Sequence, residues 1–283
     1  IKPKGGMCMN GFSFGLRGHD IADDFDSMCA LAAQNKIKIL QFALAKTVSD
    51  IDFDSVGYDE ETSARLKRSF DDYGLFPSVL GCYINPIDSD LNSREIQTKR
   101  FLNFIKYARD FGSDVIGTET GWTDDIKITR SKENYADFMK TMYHLVCEAE
   151  RDGVNIGIEP VYIGTIYSAD MMKKMTDDMQ SDRLSVIMDF SNITDTYEAY
   201  KKQDDTVKHA FDILNDRIKV IHLKDYKFDG GKKSFAPPCE GMLNIRLIFE
   251  CAKKLSVMPK IILDELPVSL YAESCERIKN LLQ

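Results

Sequence analysis

The chain predicts a single-domain α/β fold, a (β/α)8 TIM barrel, and three features carry that expectation. Eight short runs rich in Val, Ile, Leu or Phe alternate with longer amphipathic segments. The length, 283 residues, suits one such barrel, which typically takes about 250. No long linker or low-complexity tract divides the chain, so one unit over residues 1–283 is the simplest organisation.

The expected strands are, in order, Gly11–Leu16, Lys36–Phe42, Pro77–Tyr83, Asp114–Thr118, Asn155–Glu159, Ser185–Asp189, Ile218–Lys224 and Lys260–Asp264. Each is short and bounded by polar or Gly/Pro residues, as parallel strands buried on both faces are. Between them, Asn92–Gly112 opens on Asn and Ser with an acid three residues on. It then places Phe101, Phe104, Ile105 and Ala108 at helical steps. Ser131–Gly153 does the same with Phe138, Met142, Leu145 and Val146, and ends on a glycine suited to a helix cap. Further helices are expected over Ala169–Gln180, Thr196–Asn215, Ile245–Leu255 and Ala272–Leu282. A nine-strand open sheet and a seven-unit barrel are the alternatives this pattern leaves open. Neither Gly5-Gly6 nor Gly230-Gly231 has the spacing or following helix of a phosphate loop.

Composition narrows the class of partner. With 43% hydrophobic and 29% charged residues, the chain reads as a soluble globular protein. At this size folding buries roughly three quarters of the unfolded surface, so no staple is required. The net charge of −8 and a pI near 5.2 count against nucleic acid, whose binding depends on neutralising phosphates. No apolar run approaches the roughly 20 residues that span a bilayer, and no basic-then-apolar leader opens the sequence, so no membrane partner is expected. The cysteines Cys8, Cys29, Cys82, Cys147, Cys239, Cys251 and Cys275 are dispersed and odd in number. That pattern predicts reduced, mostly buried thiols and a cytoplasmic location.

The active site of such a barrel lies at the carboxyl ends of its strands. The fifth expected strand ends in Glu159, the sixth in Asp189, and the eighth in Asp264-Glu265, while the seventh carries His222 late in an apolar run. Each has an ordinary explanation alone: Glu159 as a salt-bridge partner, Asp189 as a cap for Ser191-Asn192, His222 as a core histidine, the acid pair as loop. Their coincidence on four successive strands is what points to chemistry. Three carboxylates on one rim repel one another, and a divalent cation removes that penalty. One divalent metal ion is therefore expected, with Mn2+, Mg2+ or Co2+ better suited than zinc where thiolate is absent. Lys224 shares a strand face with His222 and is a candidate for anion binding, with a rim salt bridge to Glu240 as the alternative. Glu119 and Trp122 after strand four, and Arg17 and His19 after strand one, are candidate substrate contacts; loop packing and ion pairs to Asp20 or Asp23 are their plainer readings. Phe12, Phe14, Phe42 and Tyr83 read as barrel filling or pocket wall.

Several segments together resemble the xylose-isomerase-like TIM barrel superfamily, which spans sugar-phosphate isomerases and epimerases, ketose 3-epimerases, inosose dehydratases and an apurinic endonuclease branch. They are Ile156-Gly-Ile-Glu159-Pro, Val186-Ile-Met-Asp189-Phe-Ser-Asn192, Val220-Ile-His222-Leu-Lys224-Asp225, Pro238-Cys-Glu-Gly241-Met-Leu-Asn244 and Ile261-Ile-Leu-Asp264-Glu265. The resemblance implies Glu159, Asp189, His222 and a strand-eight acid as metal ligands. Spacing from Glu240-Gly241 favours Glu265, and strand parity leaves Asp264 open. It also implies Glu159 and Glu265 as the groups that move a proton next to a carbonyl through an enediolate. Asn192 stands where many members carry histidine, and reads as a hydroxyl-binding residue. Only His19, His144, His209 and His222 occur, too few for the nuclease zinc cluster. The expected activity is thus a divalent-metal-dependent sugar isomerase or epimerase acting on a small sugar or polyol. The alternatives are an inosose-type dehydratase and a non-catalytic sugar-binding barrel. Related barrels often pair near the site, which leaves a homo-oligomer open.

Overall fold

The computed structural model describes residues 8–283; the expectations at Ile1–Met7, including Gly5-Gly6, lie outside them. Eight parallel strands run as β1 Phe12–Arg17, β2 Ile39–Ala43, β3 Phe76–Gly81, β4 Val115–Thr118, β5 Ile156–Ile158, β6 Leu184–Asp189, β7 Ile218–Leu223 and β8 Lys260–Leu263. Each pairs with its neighbours in sequence order, and β8 returns to β1 through Ile261–Phe14, closing the barrel. The open-sheet and seven-unit alternatives are thereby excluded. A two-residue strand, Cys8–Met9, adds antiparallel to β1.

Eight longer helices cover the outside: α1 Phe25–Gln34, α2 Glu60–Tyr73, α3 Leu91–Phe111, α4 Lys132–Asp152, α5 Ala169–Met179, α6 Gln203–Leu214, α7 Ile245–Ala252 and α8 Tyr271–Leu281. Side-chain caps start most of them. Asp90 accepts from the amides of Asn92 and Ser93, and Ser131 from that of Asn134. The helix expected over Thr196–Asn215 is broken. Thr196 caps only the turn Tyr197–Tyr200, and α6 restarts at Gln203, whose buried amide bridges Met242 O and Asn244 N.

Strand alternation sorts the side chains into two sets. Phe12, Phe14, Leu16, Leu40 and Phe42 join the large cluster shared with the helices. Ile39, Val79, Val115, Ile187, Val220 and Ile262 form a separate cluster that fills the lumen. Gly157 belongs to this inner layer, where a Cβ would come within 2.9 Å of the Ile187 side chain. The lumen is thus plugged below, and the polar inward residues that follow (Arg17, Gln41, Glu119, Glu159, Asp189, His222, Lys224, Asp264), from every strand but β3 and two of them from β7, rise toward the open carboxyl end.

Candidate metal centre and substrate cavity

That inward set forms the floor of a cavity of about 440 Å³, lined among others by Arg17, Gln41, Tyr83, Glu119, Glu159, Asn192, His222, Lys224, Asp264 and Glu265. Strand register brings the acids to one level: Asp189 lies opposite His222, and Ile262 opposite His222 sets Asp264 beside Lys224. Glu159, Asp189 and His222 each offer a ligand atom, all within 4.8 Å of one another. His222 Nδ1 is 3.2 Å from Glu159 Oε2. Asn192 donates to the other oxygen, Glu159 Oε1, at 2.7 Å. Asp189 Oδ1 caps the turn after β6 by accepting from the amides of Ser191 and Asn192, as its plainer reading supposed. Its second oxygen, Oδ2, is buried without a hydrogen-bond donor, and so is His222 Nδ1.

The cations of the floor were only partly legible. Lys224 Nζ lies 2.8 Å from Asp264 Oδ2, 3.2 Å from Asp189 Oδ2 and 3.6 Å from Glu265 Oε1. The rim pair with Glu240 is not formed; Glu240 meets Arg277 instead. Arg17 bridges Asp20 and Asp264, each at 2.8 Å. The carboxylates are therefore not left to repel one another, as their strand-end positions alone suggested. Burial works against the charge on Asp264, yet His222, Lys224 and Arg17 hold its carboxyl well below the usual range. Burial likewise opposes the charge on His222, while Glu159, Asp264 and Asp189 push its imidazole up to about 9.

Glu265 is not among the converging donors. It has the outward parity of Ile261 and Leu263, and a left-handed backbone (φ 50°) turns the chain there. Its partly exposed carboxylate reaches the cavity only from the rim. His19 is a clearer departure. It sits in the turn Gly18–Asp20 and does not line the cavity, while Glu119, Trp122, Asn192, Lys224 and Arg17 do.

Asp189 Oδ2 and His222 Nδ1 are buried, form no regular hydrogen bond, and border the space shared with Glu159, with only the ion-pair contacts of Lys224 and Glu159 at 3.2 Å each. Two carboxylates and one imidazole suit a divalent ion that takes oxygen and nitrogen ligands. The residues fit such an ion. Among the described residues, no pair of cysteines forms a disulfide; Cys29, Cys82, Cys251 and Cys275 are buried, and burial pushes the Cys82 thiol up to about 12.

The family model of xylose isomerase-like TIM barrels matches residues 23–281. The chain belongs to that family. Among solved structures, a xylose isomerase-like TIM barrel protein from Mycobacterium smegmatis, in complex with magnesium, covers 98% of both chains with a TM-score of 0.72 at 14% identity. A D-tagatose 3-epimerase-like protein gives 0.77 at 17% identity, over 95% of this chain and 96% of that one. A probable 3-DHS dehydratase from Bacillus anthracis, involved in petrobactin synthesis, gives 0.71 at 13% identity, over 94% and 98%. At such identities the likeness is one of fold. A comparison with curated protein sequences finds no match.

Three cavity residues of this xylose isomerase-like barrel, Gln41, Lys46 and Phe235, have no role in the sequence reading, whereas Tyr83 takes the pocket-wall place expected of it. Gln41 is a buried polar residue inside the apolar run of β2, a signal that was visible. Lys46, after β2, lies over the Tyr83 ring at 4.7 Å and forms no ion pair among the described residues. Tyr83 itself lines the cavity and accepts a hydrogen bond from Gln41. Phe235 comes from a hairpin after β7, Asp225–Asp229 with Lys232–Ala236. No helix of the described residues is long and apolar enough to cross a membrane.

Proposed function

We propose that the barrel isomerises or epimerises a small, uncharged sugar or polyol ketone by moving a proton next to the carbonyl. The observation that carries this reading is the convergence of Glu159, Asp189 and His222 beneath the cavity, where two buried ligand atoms make no regular hydrogen bond. These three residues would hold one divalent ion. When bound, the ion polarises the substrate's carbonyl and hydroxyl oxygens and stabilises the charge of an enediolate.

The protein's own groups supply the rest. Asn192 fixes the Glu159 carboxylate, so its other oxygen faces the cavity. Glu159 removes the proton from one side. On the other side Asp264 is a poor base, because Lys224 and Arg17 both hold it ionised. Glu265, at the rim and 3.6 Å from Lys224, gives a proton of its own carboxyl to the opposite face, and the proton taken up by Glu159 passes to solvent, which resets the pair. Trp122 and Phe235, both about half exposed, present apolar faces to the C–H side of the substrate. Five carboxylates (Glu119, Glu159, Asp189, Asp264, Glu265) face three cations (Arg17, Lys46, Lys224). A divalent ion offsets that excess of carboxylates, and a floor without surplus cations favours an uncharged substrate over a phosphate ester.

A dehydratase is the second reading, and Glu119 favours it. Burial, with Glu159 nearby, pushes its carboxyl up to about 7, so a protonated fraction is available for a departing hydroxyl. The test is turnover of a panel of ketoses, aldoses and inososes in D2O, on chelated protein reloaded with Mn2+, Mg2+, Co2+ or Zn2+. Solvent deuterium beside the carbonyl, lost in Glu159→Gln, Glu265→Gln and His222→Ala, is the expected result. A conjugated, ultraviolet-absorbing product would mean dehydration instead. Turnover that survives both chelation and His222→Ala would overturn the metal reading altogether.

A further inference from the structure

His222 offers an ion Nδ1 rather than Nε2, and something must keep Nδ1 free of a proton. Nε2 lies 2.6 Å from Oε1 of Gln41, on the far side of the lumen in β2. The same amide donates from Nε2 to the hydroxyl oxygen of Tyr83 at 2.8 Å. Gln41 is 2% exposed, so no water competes for its amide from bulk. With the amide oxygen toward His222 and the amide nitrogen toward Tyr83, the three groups form one directed chain. An acceptor oxygen facing His222 keeps a proton on Nε2, so the proton an arriving ion displaces is the one on Nδ1, and the lone pair it meets points toward Glu159 and Asp189.

The reversed amide would turn every bond round. Tyr83 would donate to the Gln41 oxygen, the amide NH2 would face Nε2, and the His222 proton would move to Nδ1, where no ion could bind. The hydrogen bonds are equal in number either way, so His222 alone does not choose between them.

We infer that Gln41, held by Tyr83, is a positioning residue that sets the His222 tautomer and so makes Nδ1 a metal ligand. This rests on the metal reading of the same site. An outer partner of a ligating imidazole of this kind is typically worth about 10–100-fold in metal affinity. A glutamate at position 41 keeps the acceptor oxygen and has no amide to reverse, whereas a leucine keeps the shape and removes the acceptor.

The experiment is Zn2+ affinity by competition with a chelating dye, on wild type, Gln41→Leu, Gln41→Glu and Tyr83→Phe, with melting curves to check folding. It is joined by long-range 1H–15N correlation of the His222 ring in the Zn2+-loaded wild type. The expected result is affinity about 10–100-fold weaker in Gln41→Leu, wild-type or tighter affinity in Gln41→Glu, and a smaller loss in Tyr83→Phe. The ring should carry its proton on Nε2. Wild-type affinity in a folded Gln41→Leu, or a proton on Nδ1 in the loaded protein, would overturn the inference and leave the metal site standing. A wild type that binds no divalent ion would overturn the metal reading, and this inference with it.

Discussion

Lys224 governs how much uncompensated charge an arriving ion meets. Its ammonium spans Asp189 and Asp264, and both are buried. Removing one partner of a buried ion pair commonly costs about 3–5 kcal/mol, because the other charge is stranded. Lys224→Met should therefore lower the melting temperature of chelated protein. The same change removes a positive charge beside the site, so divalent-ion affinity should rise by roughly tenfold, equivalent to about 1.4 kcal/mol. Melting curves with and without excess Mn2+ read both effects, and the variant should gain more from the metal than wild type does. Equal gains would mean that Lys224 does not oppose the ion. His19 makes a different prediction. Burial and the charges of Arg17 and Lys46 lower its imidazole from 6.5 to about 4. The unfolded chain binds that proton in a range where the folded chain refuses it. Its share of stability is whole above pH 6.5 and is lost as pH falls from 6.5 toward 4. His19→Asn should flatten the decline by on the order of 1 kcal/mol, a figure kept small because the ring is partly exposed and screened. Denaturant midpoints at pH 7 and pH 4.5 test it; an unchanged decline would assign the loss to other groups.

Among the elements, the hairpin after β7 best separates what the sequence showed from what it concealed. Its turn is Gly230-Gly231, with φ 55° and 84°, the left-handed pair that a two-residue hairpin turn requires. The glycines were read only as a failed phosphate loop, although Asp229-Gly-Gly between alternating residues is a hairpin signal. The hairpin brings Phe235 to the cavity, 4.8 Å from Lys224, while Lys233 bonds the carbonyl of Ser191 and pairs with Asp195. Phe235 is about half exposed, so Phe235→Ala should raise KM several-fold, with little change in kcat or melting temperature. A fall in kcat at constant KM would place Phe235 in the chemistry rather than in binding. All eight barrel strands were legible because strands buried on both faces must be apolar throughout, and only their ends moved. The converging triad Glu159, Asp189 and His222 was legible for the complementary reason: a charged residue ending such a run has few structural uses. Register and parity were harder. The choice between Asp264 and Glu265 turns on which residue continues the inward row of Ile262, and only the closed barrel places that row. Arg17–Asp264 and Gln41–His222 join residues more than 180 positions apart, beyond the reach of any local pattern.

At the scale of the molecule, the barrel is a ring whose seam joins its first and last strands. Ile261, Ile262 and Leu263 of β8 pair with β1, Arg17 reaches Asp264 across the join, and Tyr271 of α8 donates to Phe14 O. The three converging donors stand on the adjacent strands β5, β6 and β7 or immediately after them, so a bound ion would tie together elements that meet only in the closed ring. The unfolded chain scatters Glu159, Asp189 and His222 and offers no comparable site. An ion that binds only the folded state at 100 times its Kd adds about 2.7 kcal/mol of stability. For a domain of this size that is a rise of about 4–5 °C in melting temperature. Mn2+ or Mg2+ added to chelated wild type should produce a rise of this order that grows with the logarithm of free metal. His222→Ala should show none, which separates the site from general attraction of cations to a chain of net charge −8. Equal rises in wild type and variant would trace the effect to the acidic surface, and the floor would then be held by Lys224, Arg17 and His222 alone.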